Sequence, residues 1–433
     1  MKAIRQNRRP SSTVQQTQRN LITGATYSTN NPGLRRIMFL CGSLSSGRDG
    51  VGDYTRSLAN ACVTEGCEVA LIALHDRWIA EVKEYTDDGM RVIRLAARSS
   101  WREKQKIMRC ILATLQPDWM SLQFVPYAFQ DRGIPWQLPR WFADLEFNGN
   151  WHVMFHELWI GESTDYGLTE RAIGFMQKCG VLRLLRTLRP KSVHTSNPIY
   201  RALLAANGVS SEVLPLFGSV PFIVTTGARW LYEVLATHGI VFDGQESRRP
   251  LLMGMFGTIH PQWRPDPFIA QTLRISRQMQ RQLVLLVIGR IGKGGERTLQ
   301  EIENLYRKDF LCLNLGEQSL DRISEFLQTI DFGVTTSPWA LTGKSSTVAA
   351  MLDHGVPVVV PRDDWMLRAH STPAPVPDSL LFRTDDTLLL RLIGRTPRGG
   401  ATPRLRSSAG QFLEALRLVE DGEECIPKID CAR

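Results

Sequence analysis

The sequence predicts an α/β protein: two Rossmann-like, doubly wound parallel-sheet domains of similar size behind a basic tail. From residue 36 onward, apolar runs of strand length alternate with amphipathic helical patterns. That rhythm breaks once, over 219–249, and then restarts. The strand-like runs are almost continuously apolar, as strands covered by helices on both faces are. A chain of 433 residues is long for one core and comfortable for two.

"RIMFLCG" (36–42) reads as the first buried strand. The helix after it, over 51–66, sets Tyr54, Leu58, Ala61 and Cys62 on one face and stops at Gly66. Further strands are expected at 68–74, 91–96, 118–125, 152–159, 192–196 and 212–218, with helices over about 100–116 and 168–188. A helix at 228–239 and the polar "DGQESRRP" (243–250) fill the break. Beyond it, strands at 251–259, 283–289, 310–316, 332–337 and 356–361 alternate with helices over 267–281, 297–306, 319–330 and 346–355. An amphipathic helix near 409–420 closes the pattern. The expected organisation is a disordered tail (1–35), an N-terminal domain (36–220), a connection (221–249) and a C-terminal domain (250–405). The C-terminal helix and tail (406–433) are expected to return to the first domain.

The net charge is +9, but residues 1–36 hold seven basic residues and no acid. The body therefore carries only about +2, without the basic stripe of a nucleic-acid-binding surface. Nucleic acid is not an expected partner; the tail suits contact with an anionic membrane surface. No apolar run approaches the roughly 18 residues of a membrane span, and 1–34 lack the apolar stretch of a secretory signal. A cytoplasmic location is expected, peripheral at the inner face of the membrane through the tail. The eight cysteines form no Cys-x-x-Cys pair and read as reduced thiols, and no metal site is expected.

Ligands of such sheets bind beyond the carboxyl ends of the strands, which directs attention to the loops there. "GSLSSGRDGVGDY" (42–54) is rich in glycine and opens a helix, so the backbone of Gly50, Val51 and Gly52 could approach a phosphate. Its spacing is not that of a dinucleotide fingerprint, and the next strand, read as 68–74, ends before His75-Asp76. "FHELW" (155–159) sets His156 at a strand end; Ile160 stands where a zinc hydrolase motif would need its second histidine. "FGTIHPQWRPDPF" (256–268) offers His260 and Arg264 to a phosphate. "SPWALTGKSS" (337–346) ends in Gly-Lys-Ser, but Pro338 stands where a P-loop needs its first glycine. An ATPase or GTPase reading fails there. Lys344, Ser345, Ser346 and Thr347 still begin a helix whose N–H groups and dipole favour an anion. Each loop also has a plain structural reading: a flexible turn, a satisfied histidine, a Pro-rich connection, an N-cap.

In their order these segments resemble those of GT-B fold glycosyltransferases, specifically the large retaining, family 4-like group, over about 36–420. The resemblance rests on Gly50-Val51-Gly52-Asp53-Tyr54, His156, "VLPLFG" (213–218), Phe256-Gly257, Leu315-Gly316 and Gly355-Val356-Pro357-Val358-Val359. It implies transfer of a sugar from a UDP-, GDP- or ADP-linked donor to a glycan, lipid carrier or small molecule, with retention and without cofactor or metal. By that resemblance His156 is catalytic, and Gly50, Val51, Gly52, Arg264, Lys344, Ser345, Ser346 and Thr347 hold the donor diphosphate. Gly257, Leu315, Gly316 and Glu317 lie near the nucleobase or ribose. The loops at 97–105 and 126–140, with Trp101, Arg102, Tyr127, Arg132 and Trp136, are candidates to meet the acceptor. Three positions depart from the family. Thr342 and Ala350 stand where it has two glutamates, and Thr258 stands where an arginine is frequent. These departures favour an alternative, a GT-B-like binding or scaffolding protein that has lost catalysis.

Overall fold

The computed structural model describes residues 35–225, 227–241, 249–384 and 401–420. The tail 1–34, most of "DGQESRRP" and the residues beyond 420, with Cys425 and Cys431, lie outside them. The chain divides into two compact units, 1–160 with 169–194 and 413–433, and 161–168 with 195–412.

The first unit contains β1 (Arg36–Cys41), α1 (Gly50–Thr64), β2 (Glu68–Asp76), β3 (Lys83–Asp87), β4 (Met90–Ala96), α2 (Trp101–Leu115) and β5 (Trp119–Phe124). Two short helices, α3 (Pro126–Phe129) and α4 (Leu138–Ala143), precede β6 (Asn150–Phe155), α5 (Leu168–Leu188) and β7 (Ser192–Thr195). The strands lie in the order β3-β4-β2-β1-β5-β6-β7; the pairings from β4 through β6 are parallel, and β3 returns antiparallel along β4. β1 keeps Ile37 to Cys41 buried because neighbours flank it on both sides and helices cover both faces. α2 starts where Ser100 and Glu103 form a reciprocal capping box and ends where Gln116 turns left-handed before Pro117. Its buried face, Lys104, Ile107, Met108, Ile111 and Leu115, follows helical spacing with one polar intruder.

The second unit begins with α6 (Pro198–Ala205), β8 (Glu212–Val213) and α7 (Arg229–Thr237). It continues through β9 (Leu251–Phe256), α8 (Asp266–Gln278), β10 (Leu283–Ile288), α9 (Gly292–Tyr306), β11 (Leu311–Asn314) and α10 (Leu320–Thr329). β12 (Phe332–Val334), a 3₁₀ turn over Trp339–Lys344, α11 (Ser346–Asp353), β13 (Val358–Val360), β14 (Leu381–Arg383) and α12 (Leu405–Glu420) follow, the last belonging to this unit only as far as Phe412. The sheet order is β11-β10-β9-β12-β13-β14, every pairing parallel. Alternate residues feed two separate cores. Leu251, Met253, Leu285 and Val287 enter one, and Leu252, Val284, Leu286 and Ile288 the other. Each fully buried aliphatic side chain there stabilises the fold by about 1.5–3 kcal/mol.

The α/β class with two parallel sheets is thus the one the alternating pattern predicts. Residues 195–220, read from sequence with the first domain, pack in the second unit. Asp353 accepts from Gly218 N at 2.7 Å, Ser408 Oγ donates to Pro215 O at 2.9 Å, and a Cβ on Gly218 would sit 2.5 Å from Ala350 Cα.

Candidate functional site

In each sheet the chain winds outward from a central strand and then restarts on its other side. The switch falls between β1 and β5 in the first unit and between β9 and β12 in the second. Helices there leave on opposite faces, so a crevice opens beyond the carboxyl ends of those strands. The loops after β9 and β12 hold Gly257, His260 and Arg264, and Thr336, Lys344 and Ser345 respectively.

The second unit's crevice is walled by backbone. Gly257, Gly289 and Gly316 follow β9, β10 and β11, with φ of +83°, +93° and +64°. Gly289 N donates to Gly316 O at 2.8 Å, and a Cβ on Gly289 would sit 3.4 Å from Gly257 N. A Cβ on Gly257 would lie 2.8 Å from Thr347 Cγ2, so this strand end touches the first turn of α11. Only glycine fits the conformation and the approach together. Gly257, Gly316 and Thr347, predicted from separate motifs, therefore fall along one edge, joined through Gly289. Leu315 N donates to Val287 O, and the exposed Glu317 pairs with Arg290 at 2.9 Å.

α11 is capped by Ser345, whose hydroxyl accepts from Val348 N at 3.3 Å and lies 3.0 Å from Thr347 Oγ1. The first N–H groups of the helix, on Ser346 and Thr347, have no intrahelical acceptor and carry the positive end of its dipole. "SPWALTGKSS" forms the 3₁₀ turn with Pro338 at its N-cap and the exposed Lys344 as its last residue. His260 lies close by: its N–H donates to Thr336 Oγ1 at 2.8 Å, and its Nδ1 faces Arg362 at 2.9 Å. Burial, then the charges of Arg362 and Lys344, lower its pKa. Arg362 itself is buried and held by Asp364 at 2.9 Å. Arg264 is exposed and forms no ion pair among the described residues, beside the buried Trp263. Thr342 is 2% exposed and donates to Trp339 O, and Ala350 is fully buried beneath Gly218, whereas Thr258 is exposed.

In the first unit, Asp49 caps α1 and accepts from Gly52 N at 2.8 Å; Val51 N–H serves the same carboxylate. Gly47 N donates to Asp53 at 3.1 Å. Burial raises the pKa of both acids. The Gly-rich loop thus already carries two carboxylates at the helix end where a phosphate would bind. β2 runs two residues beyond the predicted end and does finish on an acid, Asp76. That carboxylate takes Arg94 at 2.7 Å, Leu44 N at 3.2 Å and Trp78 N at 3.0 Å, which fixes loops. His156 is 8% exposed just past β6, with Tyr54 edge-on at 4.7 Å and Gln123 Oε1 2.9 Å from Nε2. Burial drives its pKa down to about 3, so the ring is neutral at physiological pH. Of the expected acceptor residues, Trp136 is 44% exposed, while Trp101 packs against Trp141 with ring centroids 5.3 Å apart.

Sequence reasoning passed over "GRIGKGGE" (289–296), the glycine-rich turn from β10 into α9, although its spacing directly after a strand was a usable signal. It also passed over Arg362, for which a lone arginine after a strand gave none.

No protein-family model matches this chain, and no curated protein matches it. Among solved structures, α,α-trehalose 6-phosphate synthase from Burkholderia multivorans is similar over 90% of this chain and 100% of its own, at 10% identity and a TM-score of 0.50. The fold is GT-B. A glycosyltransferase from Rickettsia africae is similar over 92% of this chain and 91% of its own, at 10% identity and a TM-score of 0.48. The UDP-GlcNAc 2-epimerase of Methanocaldococcus jannaschii is similar over 89% and 99%, at 10% identity and a TM-score of 0.45. At such identities the likeness is one of fold, and a GT-B fold alone does not select a chemistry. No helix among the described residues is long and apolar enough to cross a membrane.

Proposed function

We propose that this chain is a glycosyltransferase that draws its sugar from a nucleoside-diphosphate donor. One observation carries the reading. At the switch point of the second sheet, a side-chain-free backbone wall (Gly257, Gly289, Gly316) meets the start of α11 at Thr347. Such a wall admits a flat base and ribose at van der Waals distance, and the helix end beside it favours the diphosphate.

When the glycosidic bond breaks, negative charge builds on the departing diphosphate. The N–H groups of Ser346 and Thr347, with Lys344 and Arg264, meet that charge, and preorganised donors of this kind lower the barrier most where charge develops. Ser345 fixes the first turn of the helix. Gly257, Leu315, Gly316 and Glu317 border the base and ribose. His156, held neutral, hydrogen-bonds a sugar hydroxyl instead of exchanging a proton. In the first unit, the family resemblance makes Gly50 and the N–H groups of Val51 and Gly52 candidates for a phosphate contact, open to one only if Asp49 releases them. Retention at the anomeric carbon, independence of metal, and a glycan or lipid-linked acceptor complete the proposal, from the family resemblance.

The test is turnover: release of nucleoside diphosphate from a panel of UDP-, GDP- and ADP-sugars, abolished by Lys344→Ala. Absence of turnover with every donor refutes the proposal. A second reading, a binding protein without catalysis, is favoured by the inward burial of Thr342 and Ala350, which leaves no carboxylate at either position. It expects nucleoside diphosphates to bind and no donor to be consumed.

A further inference from the structure

The buried strands β5, β6 and β7 carry polar residues where apolar ones would pack. Ser121 and Gln123 on β5, His152 on β6 and His194 on β7 are all buried, as is His156 just beyond β6. They form one unbroken chain of hydrogen bonds. His156 Nε2 lies 2.9 Å from Gln123 Oε1, and Gln123 Nε2 lies 2.8 Å from Ser121 Oγ. Ser121 Oγ lies 2.8 Å from His152 Nδ1, and His152 Nε2 lies 2.9 Å from His194 Nδ1. His152 and His156 stand four residues apart, but along a strand that separates them by about 13 Å, too far to share a metal ion.

Donor and acceptor chemistry fixes the direction of this chain from Ser121 to His156. An amide nitrogen only donates, so Ser121 Oγ accepts from Gln123. Its own proton can then go to His152 Nδ1, which puts the His152 proton on Nε2 toward His194 Nδ1, or its second lone pair can accept from a His152 Nδ1–H. At the other end, an amide oxygen only accepts, so His156 carries its proton on Nε2. Burial lowers the pKa of all three imidazoles, to about 3 for His156 and about 4 for His194. All three are neutral, each with one donor and one acceptor nitrogen.

We propose that Gln123, anchored through Ser121, His152 and His194, is a positioning residue that holds His156 as the Nε2–H tautomer and so leaves Nδ1 as a hydrogen-bond acceptor. The ligand group this suits is a hydroxyl donor, such as a sugar hydroxyl. A carbonyl or phosphate oxygen does not suit it. This use of Nδ1 rests on the transferase reading, whereas the tautomer itself does not.

Two measurements separate those layers. Nitrogen-15 NMR of the full chain with labelled histidine reads the tautomer without any substrate. The wild type is expected to show His156 protonated on Nε2. Gln123→Leu, which removes the acceptor, is expected to release it to a mixture, and Gln123→Glu, which keeps an acceptor, to retain an Nε2 proton. His194→Ala, at the far end, covers the case in which Gln123→Leu does not fold, and is expected to perturb the His152 signals first. A wild-type His156 protonated on Nδ1, or a tautomer unchanged in Gln123→Leu, overturns the assignment. Turnover of whichever nucleotide-sugar donor proves active is expected to fall about tenfold in kcat in Gln123→Leu with KM little changed, the size of one lost hydrogen bond. Equal turnover with an altered tautomer overturns the functional half alone. A wild type inactive on every donor but showing the expected tautomer leaves the positioning intact and counts against the transferase reading.

Discussion

Gly257→Ala tests the backbone wall of the second unit directly. The change adds one methyl group at a residue with φ of +83°, where an L side chain is strained by about 1 kcal/mol. The added Cβ would lie 2.8 Å from Thr347 Cγ2, well inside ordinary contact. Either the Thr347 side chain rotates, at roughly 0.5–1.5 kcal/mol, or the first turn of α11 shifts. The total destabilisation expected is about 1–3 kcal/mol, with nucleoside diphosphate binding about tenfold weaker as the N–H groups of Ser346 and Thr347 move off target. The two contributions separate in the double variant Gly257→Ala/Thr347→Ser. Serine keeps the hydroxyl that meets Ser345 Oγ at 3.0 Å and removes the methyl that clashes. Thermal unfolding and titration calorimetry with UDP, GDP and ADP should show the clash part recovered and the φ part retained, a coupling of about 0.5–1.5 kcal/mol. If Gly257→Ala changes neither stability nor binding, or if Thr347→Ser recovers nothing, the close approach of β9 to α11 is not what shapes this site.

Three further outcomes follow from the same geometry. Lys344→Ala should weaken diphosphate binding roughly tenfold to a hundredfold, as loss of one hydrogen bond to a charged group does, and flatten its salt dependence in calorimetry. Asp353 is buried with its pKa raised to about 6, so its contribution to stability is complete below its unfolded value near 3.8 and lost as pH rises through 6. Asp353→Asn should therefore be relatively more stable at pH 8 than at pH 5, read by urea denaturation at both. His156, with its pKa lowered to about 3, contributes stability above its unfolded value near 6.5 that is lost as pH falls toward 3. Donor turnover should accordingly show no inflection from this group between pH 5 and 8, while His156→Ala should lower kcat by an order of magnitude or more; an inflection removed by that substitution would refute its neutrality.

Much of this fold was legible because buried parallel strands are nearly pure runs of apolar residues, and β1, β9 and β10 are read within a residue or three of their ends. β3 was not legible: "KEYTD" is mostly exposed and polar, and its only signal was the Asp88-Gly89 turn, where both residues have positive φ. α9 starts five residues before its predicted start because Gly292, Gly294 and Gly295 carry no helical pattern, yet tertiary packing holds them in the first turn. β14, three residues long, falls below what any pattern can mark. Of the site, the glycines and the Lys344 helix start were visible as motifs. That Gly257 touches Thr347 was not, since it depends on two loops from opposite sides of a switch point. The chain of hydrogen bonds behind His156 was hidden for a different reason. Ser121, Gln123, His152 and His194 look like isolated blemishes in apolar strands until register places them side by side.

Hydrogen exchange of the full chain, titrated with UDP, GDP or ADP up to saturation, decides whether the crevice beyond β9 and β12 holds a nucleoside diphosphate, because it reports both binding and its location. At least one nucleoside diphosphate is expected to slow exchange at 257–260, 289–295 and 344–349 together, and Gly257→Ala to raise the concentration needed for this protection about tenfold. Protection confined to other segments, or none with any of the three nucleotides, would contradict binding in that crevice.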